Sequence, residues 1–155
     1  LYSEFVLDNW LLPYAASGEL ALPASYGQFA PLSRNEFAAA VATVAARPDR
    51  FAETHIFTGD RLLDFDNICD IYSEAIGKPL HYRSCSIEEY VAAASTQIEE
   101  PWPHAFASLC ASIGEGRYNF TTRDFAAVTR RKPEGLRDFL LRTIATNTQD
   151  DIAKL

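Results

Sequence analysis

The 155-residue sequence has no methionine, seven glycines, three cysteines and fewer basic than acidic residues. With 14 Lys and Arg against 21 Asp and Glu, the formal net charge is −7. The electrostatic attraction that dominates nucleic-acid binding is therefore repulsive overall, which excludes nucleic acid as a partner. The one basic cluster, Arg130-Arg131-Lys132, reads as a solvated helix end. No apolar run approaches the roughly 18 residues that a membrane-spanning helix needs, because Pro13, Gly18 and scattered charges break each candidate. Cys69, Cys85 and Cys110 are odd in number and set among apolar residues, the pattern of free thiols in a reducing compartment rather than of a disulfide framework. The expected location is the cytoplasm. Residues 1–12 do not read as a signal peptide, since Glu4 and Asp8 interrupt the apolar stretch. Leu1 is too bulky to favour removal of an initiator, so the missing methionine leads us to expect a chain that is trimmed, processed or incompletely represented.

Several kinds of chemistry are missing too. His55, His81 and His104 lie in separate elements without ligand spacing, so no metal site is expected. There is no Gly-x-Ser-x-Gly turn, and no cysteine has a nearby histidine in a basic setting. The paired acids Glu88-Glu89 and Glu99-Glu100 point apart on a helix and read as solvated. No catalytic acid or base can be named.

What is present is 48% hydrophobic content, enough for the core of one ordinary domain. Residues 1–12 read as a helix that is apolar nearly all round and ended by Pro13; Glu19 to Leu22 follow as an extended piece. Gln28 to Leu32 read as a short strand or link. Ser33 with Glu36 then forms a capping box, opening a helix with Phe37, Val41, Val44 and Ala45 on one stripe and a stop at Pro48-Asp49. His55 to Thr58 read as a short buried strand. Asp64 caps a helix whose Phe65, Ile68, Tyr72, Ala75 and Ile76 share a face, ending at Gly77. Pro79 to Cys85 are extended, and Ser86 with Glu89 forms a second capping box for a helix through Ala94. A Pro-bracketed polar link carrying Trp102 leads to a helix from His104 with Phe106, Leu109, Cys110 and Ile113. Thr122 is a candidate cap for a helix through Thr129, and Leu136, Phe139, Leu140 and Ile144 mark the last apolar face. So few short strands normally need completion by strands from elsewhere.

Gly59-Asp60-Arg61-Leu62-Leu63-Asp64, then Tyr72-Ser73-Glu74-Ala75-Ile76-Gly77-Lys78-Pro79, then Ser86-Ile87-Glu88-Glu89-Tyr90 resemble, in order, segments of NmrA-like atypical short-chain dehydrogenases. Leu1-Tyr2-Ser3-Glu4-Phe5 resembles the segment after the family's Arg-Asn-Gly turn. Leu32-Ser33-Arg34-Asn35-Glu36 resembles a helix start, and Thr129-Arg130-Arg131-Lys132-Pro133 the closing region. The quinone oxidoreductase and triphenylmethane reductase subgroup is the most similar. The resemblance implies an α/β fold class: the C-terminal, substrate-side portion of an NAD(P)-binding Rossmann-type fold, predominantly helical with a few short strands. It assigns residues 1–147 to that portion and residues 148–155 to a frayed tail. The family's Gly-x-x-Gly-x-x-Gly phosphate turn is absent, since Gly114-Glu115-Gly116 is a helix exit and the other glycines are isolated. The cofactor, NADP or NAD, is thus expected on an N-terminal half that this chain lacks.

The resemblance places Tyr2, Phe5, Asn9 and Trp10 by the nicotinamide end of the cleft, where they either line it or pack against the missing half. Trp102 and Phe106 either form a lid over that cleft or cover a helix end. The implied function is reduction of a quinone or similar small aromatic acceptor by NAD(P)H. The alternative is a non-catalytic NAD(P)-sensing regulator that binds a protein partner. Expected partners are the small acceptor and the N-terminal half; a homodimer stays open. A free-standing binding module ranks last, because so apolar an opening helix needs association.

Overall fold

The computed structural model describes residues 1–47 and 54–152, with residues 145–152 described by backbone alone. Two short parallel strands, β1 (Glu19–Leu22) and β2 (His81–Ser84), pair in the register Glu19↔His81 to Leu22↔Ser84. Around them lie α1 (Ser3–Val6), α2 (Arg34–Ala45), α3 (Phe65–Ile76), α4 (Ile87–Ala94), α5 (Trp102–Gly114), α6 (Asp124–Thr129) and α7 (Leu136–Ile152). Packing couples α3 to α7 and β2, α4 to α5 and β1, and α2 to α6.

The capping signals work as half-boxes. Ser33 Oγ accepts from the Glu36 N–H at 3.3 Å, Asp64 Oδ1 from Asn67 N–H at 2.8 Å, and Ser86 Oγ from Glu89 N–H at 3.1 Å, so each satisfies one of the orphan donors of a helix start. Neither glutamate reaches back to its own cap. Glu36 is buried and turns to Arg131 and to the Glu134 N–H at 2.7 Å, while Glu89 pairs with Arg83 at 2.9 Å. A charged partner outside the cap, 95 residues away for Glu36 and in the preceding strand for Glu89, replaces the local backbone donor in both cases. Gly77 ends α3 in the left-handed region at φ 74°.

Tyr72, Phe65 and Ile68 of α3 enter a core shared with Trp10, Phe29, Leu20, Leu22, Leu80, Phe139 and Leu140. At its centre Trp10 stands edge-on to Phe65 at 5.1 Å and to Phe29 at 6.1 Å, and Phe65 stacks on Tyr82 at 5.4 Å. Such pairs add about 0.5–1.5 kcal/mol each beyond their buried area. Gly27 permits the tightest backbone approach: a Cβ there would lie 2.1 Å from Ile113 O.

Several sequence expectations are corrected. The opening helix is α1 followed at once by a π-turn (Leu7–Leu11), in which Leu12 N–H donates to Leu7 O at 2.9 Å. Leu12 is exposed and Leu1 partly so, so this apolar segment is not buried on every side. His55 to Thr58 form no strand, and Ile56 is 51% exposed. Ile56 N–H donates to Asp124 Oδ2 at 2.8 Å, and Ile56 O accepts from the Thr122 hydroxyl, so side chains take the place of a neighbouring strand. Thr122 is therefore not a cap; Arg123 precedes α6 with no side-chain cap. The predicted stripe on α2 lies at the surface, where Phe37, Val41 and Val44 border a groove with Phe57 and His55; the helix buries Glu36 and Ala40 instead. α5 starts at Trp102, two positions before the predicted His104, because Trp102 and Pro103 occupy its first turn. The expected stop at Pro48-Asp49 lies outside the described residues. The described part of α7 runs from Leu136 to Ile152.

Candidate functional site

The widened turn after α1, the link at 95–101 and the first turns of α5 meet beside the core. Phe5 and Asn9 from one side and Ile98, Trp102 and Phe106 from the other line an open crevice of about 430 Å³. A recess of about 140 Å³ adjoins it, sharing Asn9, Ile98 and Phe106 and adding Tyr14, Tyr90 and Gln97. Ring contacts run inward from the rim. Trp102, 55% exposed, lies 5.9 Å from Phe106; Phe106 is edge-on to Phe5 at 5.5 Å; and Phe5 is edge-on to Trp10 at 5.1 Å. The crevice wall is thereby braced by the core. A planar apolar ligand can stack there, since aromatic faces supply large contact area with few rotamers to freeze.

The π-turn places polar groups at the same point. Asn9 Nδ2 donates to Phe5 O at 3.0 Å, which holds the amide against α1. Asp8 lies at the recess and 3.8 Å from the Arg34 guanidinium. Single π-turns within helices occur frequently at functional sites. Here the interruption sends Trp10 into the core while Asp8 and Asn9 stay at the crevice.

Burial raises the Tyr90 and Tyr14 phenols above their ordinary value, with smaller contributions from neighbouring phenol and thiol groups. Burial pushes Cys110 up to about 12, and raises Cys85 with help from Glu89. These groups are neutral at physiological pH, so phenols here act as hydrogen-bond donors and the thiols are not activated as thiolates. Neither the Tyr14 nor the Tyr90 hydroxyl has a hydrogen-bond partner among the described residues.

Of the residues singled out in the sequence, Phe5, Asn9, Trp102 and Phe106 line this one crevice. Trp10 does not line it: its side chain is 0% exposed, behind Phe5. Tyr2 also lies elsewhere, edge-on to Phe37 at 5.6 Å, with its backbone bridging to Leu32. Sequence reasoning missed Tyr14, Tyr90, Gln97 and Ile98. Only Ile98 carried a signal, as the lone aliphatic residue in the polar link before Pro101.

No protein-family model matches the chain, and no curated protein matches it by sequence. Solved structures do. A nucleoside-diphosphate-sugar epimerase from Staphylococcus aureus aligns at TM-score 0.80 and 23% identity over 91% of this chain. The triphenylmethane reductase of Citrobacter sp., complexed with NADP(H), aligns at 0.83 and 24% over 92%. An NADPH-dependent quinone oxidoreductase from Escherichia coli aligns at 0.82 and 17% over 93%. The fold is that of the C-terminal portion of an NmrA-like protein. The chain spans about half the length of each of these proteins, 49%, 50% and 52% respectively.

Proposed function

We propose that this chain forms the acceptor-binding wall of an NADP(H)- or NAD(H)-dependent oxidoreductase that reduces a quinone or similar small aromatic compound. The observation that carries the reading is the crevice itself: Phe5 and Asn9 come together with Trp102 and Phe106, from segments nearly a hundred residues apart, around one aryl-sized space. The similarity to the NADP(H)-bound reductase and the quinone oxidoreductase supports a nicotinamide cofactor and a small acceptor.

The chain's own residues do not fit the cofactor's pyrophosphate. A phosphate-binding turn needs glycines whose bare backbone faces a ligand. Gly27, Gly59 and Gly114 instead make room for this chain's own backbone, with a Cβ meeting Ile113 O, Pro31 O and Ala24 O at 2.1, 2.3 and 2.9 Å. The cofactor is therefore assigned to the N-terminal half of the fold, supplied by polypeptide outside this chain. The exposed α2 stripe and the segment at His55 to Thr58 are the surfaces we assign to that half. A cytoplasmic setting suits three free thiols.

The test joins this chain to an N-terminal half of the fold and follows NADPH absorbance with a panel of quinones. Acceptor-dependent oxidation that falls on Phe106→Ala supports the reading. Cofactor binding without turnover, together with retention of a protein partner, supports the regulator instead.

A further inference from the structure

We propose that the recess behind the crevice is a seat for the carbonyl oxygen of a neutral aromatic ligand, with Tyr90 and Tyr14 as its hydrogen-bond donors. The inference rests on reading the crevice as an aryl site and adds the functional group that the ligand carries.

Tyr90 projects from α4, is 4% exposed, and lines the recess. Its hydroxyl has no partner among the described residues. Among the described residues it is also not one of the side-chain atoms sealed from water without a partner. The small accessible part of this side chain thus includes an unpaired donor. Tyr14 lines the same recess and shows the same lack of a partner. Both tyrosines thus line one small space. Asn9 has its Nδ2 engaged with Phe5 O, and Gln97 closes another side.

The chemistry of the wall selects the occupant. Burial raises both phenols, so they remain protonated and donate rather than accept charge. The residues lining the recess include Asp8 and no lysine or arginine, so the wall offers no counter-charge to an anionic ligand such as a carboxylate. Phe106 and Ile98 extend from the recess into the crevice, so an oxygen at the phenols is attached to a ring between the aromatic side chains. A hydrocarbon of the same shape would displace water from the phenols and return nothing, and that unpaired-donor penalty is where strong discrimination arises.

Duroquinone and durene make a matched pair: the same four methyl groups on a six-membered ring, with and without two carbonyls. Full substitution keeps the quinone from adding to the thiols. Equilibrium dialysis against the 155-residue chain is expected to show duroquinone bound about tenfold or more tighter than durene. Tyr90→Phe and Tyr14→Phe should each shrink that ratio by about threefold or more, and the double variant should bring it close to one. Durene affinity, unchanged across the variants, reports that the crevice is still folded. Equal binding of the two compounds by the parent chain, or a ratio that survives the double substitution, overturns the carbonyl seat but leaves the aryl crevice standing. Binding of neither compound overturns both. A variant that loses durene as well is judged by the other tyrosine alone.

Discussion

Phe5 and Phe106 meet edge to face at 5.5 Å, joining the first helix of the chain to α5 at the floor of the crevice. The contact is both wall and brace, since Phe5 in turn leans on the buried Trp10.

Phe106→Ala removes that wall. We expect duroquinone and durene to weaken together, by about tenfold, with a loss of stability of about 1–3 kcal/mol because Phe106 is only partly buried. Dialysis and urea denaturation measure the two effects separately. Loss of stability with full ligand affinity would show that the ring matters to packing alone.

Gly27→Ala should be among the most damaging single-methyl changes in the protein. The new carbon meets backbone at Ile113 rather than a movable side chain, and we expect a loss of about 3 kcal/mol or more in urea denaturation. Gly135→Ser is the control: a Cβ there meets nothing within 4 Å, and its backbone is not left-handed. Gly135 O accepts from Phe139 N–H at 3.0 Å at the start of α7, where serine is a good cap, so this variant should be neutral or up to about 1 kcal/mol more stable.

Glu36 couples two distant parts of the chain through Arg131 and the Glu134 N–H, spanning 95 and 98 residues. Glu36→Ala is expected to cost about 2–4 kcal/mol, because it also leaves a backbone donor without its acceptor. Combined with Arg131→Ala the losses should be less than additive, with a coupling of about 1–3 kcal/mol in a double-mutant cycle. Strict additivity would contradict the pairing.

Cys69 and Cys110 bear on alkaline stability. Burial raises both from 9.0 to about 12, so the folded chain holds these protons more tightly than the unfolded chain does. Their contribution is complete below pH 9 and is lost as pH rises from there towards 12, by up to about 1.4 kcal/mol per pH unit for each thiol. Urea midpoints should fall between pH 9 and 10, and Cys110→Ala should flatten the decline. In thiol labelling at pH 8, Cys85, the partly exposed member of the three, should react first.

Local signals in the sequence located most of the helices. Asp64 and Gly77 bound α3 because a side-chain cap and a left-handed exit are decided within a few residues. The strand expected at His55 to Thr58 failed because strand identity needs a partner, and here Thr122 and Asp124 take up the backbone groups of Ile56. The capping boxes were half legible for a related reason: Ser33 acts locally, but Glu36 answers to Arg131 far along the chain. Phe5 was singled out through resemblance and Trp102 and Phe106 through their Pro-bracketed link, whereas Tyr14 and Tyr90 come to line the adjoining recess through the π-turn and the packing of α4 on α5, which leave no mark in sequence spacing.

The pairing of β1 with β2 has a kinetic consequence. It brings Glu19 against Arg83, 64 positions away, so the ladder pays the entropy of closing a long loop before its hydrogen bonds return anything. α3 lies inside that loop and carries its own cap and exit, so it can form early and shorten the search. Refolding should then be limited by closure of this ladder rather than by helix formation, and Asp64→Ala, which weakens α3, should slow it.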